Sequence, residues 1–484
     1  MIDGSGSAAR VADVGILGDR IVLVGDGSKA QAARVIDAKG LIVSPGFIDP
    51  HAHVLEDLAS AAKKSNEAYL FQGVTTVLTG NDGQGPIQTG ATLAKWKQQG
   101  IGTNAGVYIG QGTVRREVMG MSDAAASADQ IAKMKGLVAR GVEQGAMGMS
   151  TGLYYAPGSY ASTEEVIVLA KAAAAAGGIY DSHMRDENTY SIGLLGSIRE
   201  TIRIAREAKI PVHISHIKAL GPEAWGKSTA AIELIRQARA EGLEVTADQY
   251  PYEASGSSVT ASLVPRWAEA GGNAALLARI GDLSVRPRLV KEMEENLKRR
   301  GGAASLLIIS GSDRSMIGKT LEAIAKAKKI SPVEAALEIV KNGGAGVASF
   351  NMNESDIENF MRQDWVMTGS DGSEGHPRKY GTFPRKFRVY VNEKKVVSLV
   401  SAVHSSSGLT AQALHLANRG LLRDGYFADV IAFDAAHIAD LATYEHPDIL
   451  ATGVQYVVVN GKVAIDGGKY TGALAGRAIV HAPK

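Results

Sequence analysis

The chain has no cysteine, which excludes disulfides and thiolate metal ligands. Net charge is nearly absent as well: 52 basic residues against 50 acidic ones leave +2. That balance argues against a nucleic-acid or membrane-surface partner held by bulk charge. No apolar run reaches the ~18 residues of a membrane span. The first residues lack the basic, apolar, small-residue order of a secretory signal. They begin abruptly, as Met1-Ile2-Asp3-Gly4, like the tail of a strand meeting a turn. The expectation is a trimmed chain of cytoplasmic or periplasmic origin. Two familiar catalytic patterns are missing too. The approach to a phosphate loop at Gly311 puts six residues before Gly318 where the pattern needs four. No Gly-X-Ser-X-Gly elbow precedes a helix.

The 484 residues include 45% hydrophobic residues, 21% charged residues and 56 glycines, an ordinary globular balance with many turns. Near the N-terminus, Asp13–Leu17, Arg20–Val24 and Arg34–Asp37 read as short strands closed by Gly and Asp turns. Ala428–Phe433 and Val454–Val459 read the same way, and Asn460-Gly461 between apolar runs signals a hairpin. Residues 1–44 together with 421–484 are therefore expected to form one small β domain.

Between them, short apolar strands alternate with helical stretches. Eight strand ends can be read at His51, Asn81, Gly110, Ser150, His183, His216, Tyr250 and Asp371. Helices are expected over Ala124–Glu143, Thr163–Ala176, Ser191–Lys209 and Thr229–Glu241. Eight strands in such alternation fit a closed (β/α)8 TIM-like barrel over 45–420, with its active site at the carboxyl ends of the strands. The rhythm breaks between the seventh and eighth strands, so 257–363 is expected to be an inserted, largely helical segment.

The strand ends carry the chemistry. His51 and His53 stand two residues apart and so face the same way at the end of one strand. His183 and His216 end two others. Neutral imidazoles are ready ligands for zinc and its neighbours. Asp371 follows the eighth strand, where a carboxylate can both bind metal and exchange protons with water. Asp82, after the second strand, is the further carboxylate placed to bridge two cations. Alternation groups His216 with Lys218 and turns His213 to the opposite face; it also groups His183, Arg185 and Glu187. The histidines at 213, 404, 415, 437, 446 and 481 lack this strand-end context and are expected to be ordinary histidines.

Around the first of these strand ends, Pro45-Gly46-Phe47-Ile48-Asp49-Pro50-His51-Ala52-His53 resembles the signature of the amidohydrolase superfamily. Within it the chain is most similar to the N-acyl-D-amino acid deacylase (D-aminoacylase) family. The supporting stretches are Ser150–Gly158, Ser182–Glu187, Ile214–Lys218, Tyr250-Pro251-Tyr252, Gly369–Gly372 and His376-Pro377-Arg378. The resemblance implies a metal-bearing barrel, a β domain built from both chain ends, and zinc as cofactor, in one or two copies. It implies a tight site at His183 and His216 and a weaker one at His51, His53 and Asp371. The family completes the tight site with a cysteine in Gly-Asn-Cys-Gly; this chain has Gly80-Asn81-Asp82-Gly83. Hydantoinase-like relatives use a carboxylated lysine after the fourth strand, and Ala146–Thr151 contains none. Asp82 is therefore the expected bridging ligand, a hard oxygen that admits Mn2+ or Co2+ more readily than a thiolate does.

The implied reaction is hydrolysis of the amide bond of N-acyl-D-amino acids, with Asp371 as the acid/base. The implied partner is a small N-acyl amino acid or short peptide, its carboxylate held by Lys218, Arg378 and Tyr155 with Tyr250 or Tyr252. Two alternatives stand beside it. One is another amidohydrolase activity, on D-residue dipeptides or cyclic amides; the other is a non-catalytic binding scaffold.

Overall fold

The computed structural model describes residues 1–481. At its centre lie eight parallel strands. They are β1 (Phe47–Asp49), β2 (Val74–Thr79), β3 (Asn104–Val107, resuming as Ile109–Gly110), β4 (Gly148–Gly152), β5 (Ile179–His183), β6 (Val212–Ile214), β7 (Val245–Gln249) and β8 (Val366–Thr368). β1 pairs with β2 and β2 with β3; β3 then pairs through Ile109 with β4, and pairing continues in order to β8. The circuit closes just above β8, where Ala52 bridges Gly372 in parallel. There the Asp371 N–H donates to the His51 carbonyl at 2.8 Å. The strands are rich in Val, Ile and Thr and buried on both faces, as parallel strands covered by helices must be.

The covering helices follow the predicted positions closely: Ala128–Glu143, Thr163–Ala175, Gly193–Ala208 and Ser228–Ala240. Ser127 and Gln130 form a capping box at the first, and the Ser162 hydroxyl accepts the Glu165 N–H at the second. Their apolar faces, with Met134, Val138, Ile198 and Ile235 fully buried, pack on β4–β7.

Both chain ends meet in one antiparallel sheet, in the order Lys469–Tyr470, Lys462–Asp466, Val454–Val459, Val430–Phe433, Ile42–Pro45. A hairpin of Asp13–Leu17 and Arg20–Gly25 covers it, burying Ile21 against Val430 and Val458. Asn460 and Gly461 both have positive φ, 47° and 78°, as a two-residue hairpin turn requires. The expected strand at Arg34–Asp37 does not form. Val35 is 81% exposed, and Arg34 is held by its ion pair to Asp466 at 2.7 Å instead of by a ladder.

Residues 257–363 are rich in helices, including Asn273–Gly281, Arg286–Arg299 and Pro332–Lys341, but they are not helical throughout. Leu306–Gly311 and Ala345–Phe350 form a three-stranded antiparallel sheet with Ala254–Ser258. This segment buries its own cluster around Leu263, Met293, Ile308 and Val347. Among the described residues, no helix is long and apolar enough to cross a membrane.

Candidate metal centre and active site

The strand Ile42–Pro45 belongs to the small sheet, and β1, starting at Phe47, belongs to the barrel. Gly46 is the crossing point. A Cβ there would lie 2.2 Å from the Thr75 hydroxyl, so only glycine lets the chain pass so close to β2. This passage aims His51 and His53 over the barrel mouth.

All six expected ligands converge there. Asp82 Oδ1 lies 3.6 Å from His51 Nε2, 3.3 Å from His183 Nδ1 and 3.5 Å from His216 Nε2. Asp82 Oδ2 lies 3.5 Å from His53 Nε2. Asp371 Oδ1 lies 3.5 Å from His51 Nε2 and 2.9 Å from His53 Nε2. Two overlapping groups result: His51, His53, Asp82 and Asp371, and Asp82, His183 and His216. Asp82 is common to both.

These residues fit a divalent cation. Bonds of about 2.0–2.1 Å in tetrahedral array separate ligand atoms by about 3.3 Å, close to the spacing of the ligand atoms around Asp82. Buried His51 Nε2, His183 Nδ1 and Asp82 Oδ1 lack hydrogen-bond partners within the protein, which is costly unless something else satisfies them. Electrostatics agree. Burial opposes the charge of Asp82, yet the facing His51 and His183 outweigh it and hold the carboxyl well below the usual range. Burial likewise opposes the charge of Asp371, and Arg378 and His216 overcome it. Burial and Lys218 oppose a proton on His216, but Glu187, Asp371 and Asp82 prevail and push it up to about 10. Surroundings that favour a proton so strongly favour a metal cation in its place.

Three of the candidate ligands sit in left-handed backbone: Asp82 at φ 57°, His216 at 36° and Asp371 at 47°. Such positions cost about 1–3 kcal/mol each and cluster at functional sites. The bend at His216 also overturns the expectation for His213. β6 ends at Ile214, so alternation fails beyond it, and His213 is not turned to the opposite face. Its Nε2 lies 2.9 Å from Asp248 Oδ1, an oxygen 4.0 Å from His51 Nδ1, so the ring faces the barrel interior below the cluster. His213 is a hydrogen-bonded histidine beneath the site.

A cleft of about 380 Å3, solvent included, opens onto the cluster, lined by Tyr155, Lys218, Tyr250, Asp371 and others. Lys218 Nζ donates to Glu187 at 2.6 Å. Arg378 Nη1 lies 2.8 Å from Asp371 Oδ2, and its guanidinium covers the Tyr250 ring at 4.7 Å. Tyr155 stands 4.7 Å from the His183 ring. Tyr252 is a correction: it does not line the cleft. Its ring packs under Arg385 at 4.7 Å and its hydroxyl faces the Pro377 carbonyl. Arg185 is also drawn away, gripping Glu200 and the carbonyls of Ser159 and Ala161, which braces the loop bearing Tyr155.

Two charged lining residues, Glu187 and Arg300, carried no role in the sequence reading. Glu187 was grouped with His183 by strand alternation but given no task. Arg300 comes from the inserted segment and gave no signal; it donates to the hydroxyls of Tyr190 at 2.7 Å and Tyr154 at 2.9 Å.

Residues 34–465 match the model of the amidohydrolase family. The chain belongs to that family. It is 33% identical to the D-aminoacylase of Alcaligenes xylosoxydans xylosoxydans, over 99% of this chain and 96% of the relative. It is also 33% identical to an N-acyl-D-glutamate deacylase of the same organism, over 95% and 91%. Its structure superposes on a D-aminoacylase crystal structure with a TM-score of 0.85, covering 99% of this chain and 98% of that one at 34% identity. The N-acyl-D-glutamate deacylase of Bordetella bronchiseptica, solved with zinc and a phosphonate mimic of the tetrahedral intermediate, gives 0.84 at 28% identity, with 99% and 98% covered.

Proposed function

We propose that the protein hydrolyses the amide bond of N-acyl-D-amino acids, releasing a carboxylic acid and the free D-amino acid. The observation that carries this reading is the buried Asp82 carboxylate shared by two ligand groups, of which His183, His216 and Asp371 line the cleft. Support for the substrate comes from relatives named D-aminoacylase, N-acyl-D-glutamate deacylase and N-acyl-D-aspartate deacylase, each 32–33% identical over nearly the whole chain. A D-aminoacylase structure describes a binuclear centre in which one metal activates and the second attenuates.

In this reading Asp82, His183 and His216 hold one divalent cation, and His51, His53, Asp371 and Asp82 hold a second. Zinc is the first candidate, with Mn2+ and Co2+ admitted by the oxygen of Asp82. When bound, the cation supplies Lewis acidity that acidifies water and polarises the scissile carbonyl. Asp371 accepts the proton of the attacking water and returns it to the amide nitrogen as the C–N bond breaks. Its 2.9 Å contact to His53 and 2.8 Å contact to Arg378 keep it ionised for the first of these transfers. Lys218 and Arg378 meet the substrate α-carboxylate, with hydroxyl donors from Tyr155 and from Tyr250, whose OH has no partner within the protein.

The test is a substrate panel on protein loaded in turn with Zn2+, Co2+ and Mn2+. N-acetyl-D-amino acids are expected to be cleaved well ahead of their L counterparts, of D-residue dipeptides and of hydantoins. Turnover of the cyclic amides alone would contradict the reading.

A further inference from the structure

We infer that Glu187 sets which nitrogen of His216 carries its hydrogen, and that Lys218 competes with it for the same nitrogen. The inference rests on the proposal that His216 is a metal ligand. His216 Nε2 faces the cluster, 3.5 Å from Asp82 Oδ1. On the other side of the ring, Nδ1 lies 3.2 Å from Glu187 Oε1 and 2.7 Å from Lys218 Nζ. Lys218 Nζ also donates to Glu187 Oε1 at 2.6 Å and to the His216 carbonyl at 2.8 Å. All three residues are at most 6% exposed, so water offers little substitute for these contacts.

In a neutral ring, the state a metal ligand must have, the two contacts of Nδ1 exclude one another. An ammonium only donates, so the Lys218 contact requires a lone pair on Nδ1. The hydrogen of a neutral ring then sits on Nε2, which cannot ligate. The Glu187 contact requires the reverse: hydrogen on Nδ1, lone pair on Nε2, and a ring ready for metal. Glu187 therefore selects the ligating tautomer, and in that tautomer Lys218 must leave Nδ1. Its ammonium, still anchored by Glu187, is turned towards the cleft it lines, where a substrate carboxylate would arrive. Metal at His216 and carboxylate at Lys218 thus favour the same arrangement, and binding of each strengthens the other. Glu187 is a positioning residue, acting through His216 and Lys218.

The alternative role for Glu187 is simply to neutralise a buried lysine, and a double-variant experiment separates the two. Metal-stripped protein is titrated with Zn2+ or Co2+ against a chromogenic chelator, with thermal melts confirming that each variant is folded. Glu187→Gln is expected to weaken metal binding by about 10–100-fold. Lys218→Met, which removes the competing donor, is expected to bind metal at least as tightly as the parent while raising KM. The double variant is expected to keep the loss seen in Glu187→Gln. The inference is overturned if Glu187→Gln binds metal like the parent, or if Lys218→Met restores affinity to Glu187→Gln. His216→Ala serves as the reference. If it keeps full metal, the ligand assignment itself fails; if it loses metal while Glu187→Gln does not, only the role of Glu187 fails.

Discussion

Asp82 and Asp371 share one surrounding of imidazoles but have different partners, and under the proposed function the difference divides their tasks. Asp82 touches histidines on every side, whereas Asp371 also meets Arg378 at 2.8 Å and lines the open cleft. Asp371→Asn keeps the shape and a ligand oxygen but removes the proton acceptor. The expected result is retained metal with kcat lowered by about 10^2–10^4-fold; near-normal turnover would remove Asp371 as acid/base. Asp82→Cys exchanges a hard oxygen for a soft thiolate, and relative affinity should move from Mn2+ towards Zn2+ in a competition titration. Lys218→Ala should raise KM for N-acyl-D-amino acids more than for the corresponding amides. Equal increases would argue against a contact with the carboxylate.

At the scale of elements, the strand ends were legible because parallel strands are short apolar runs that stop at polar residues. Each of the six expected ligands lies at or just beyond the end of such a run, and the structure gathers all six. The backbone beyond a strand end was not legible. Alternation holds only while the chain is extended, and it fails at His216, whose φ of 36° brings His213 and His216 to one carboxylate, Asp248. Arg300 arises from a helix end in the inserted segment and Tyr252 from a turn after β7, and no periodicity says which way either points. The sheet within that segment was hidden for a related reason: Ala254–Ser258 and Ala345–Phe350 are built mostly of Ala, Gly and Ser, weak strand formers held by their ladder. The passage at Gly46 gives a direct test at this scale. Gly46→Ala must push β1 away from the fully buried Thr75. The expected cost is about 1–3 kcal/mol, seen as a lower Tm; an unchanged Tm would contradict the close approach.

For the whole molecule, buried ionisable groups couple folding to pH, and Lys386 is one that stands clear of the metal cluster. Lys386 donates to the hydroxyls of Thr368 at 2.7 Å and Ser405 at 2.8 Å, and burial pushes its ammonium down to about 7. Below that pH both folded and unfolded chains hold the proton, so the cost of burying the charge is fully present. Between about 7 and the unfolded value near 10.4, only the unfolded chain binds the proton, and stability rises with pH. Lys386→Met should flatten this rise of Tm between pH 6.5 and 9.5 in the same buffers, whereas an unaltered slope would assign it to other groups. Asp49, at the carboxyl end of β1 where it accepts the N–H groups of His51 and Ser370, is raised by burial to about 7 and acts in the opposite sense. Its proton is bound by the folded chain and lost on unfolding, so its contribution falls as pH rises from the usual carboxylate range to about 7.

The central claim is that Asp82 joins both halves of a metal centre that serves amide hydrolysis. Its most direct test is elemental analysis of purified protein beside Asp82→Ala, each assayed with N-acetyl-D-amino acids. Stoichiometric divalent metal is expected in the parent, and in the folded variant loss of metal and of turnover together. Full metal in Asp82→Ala, or turnover by a metal-free parent, would contradict the claim.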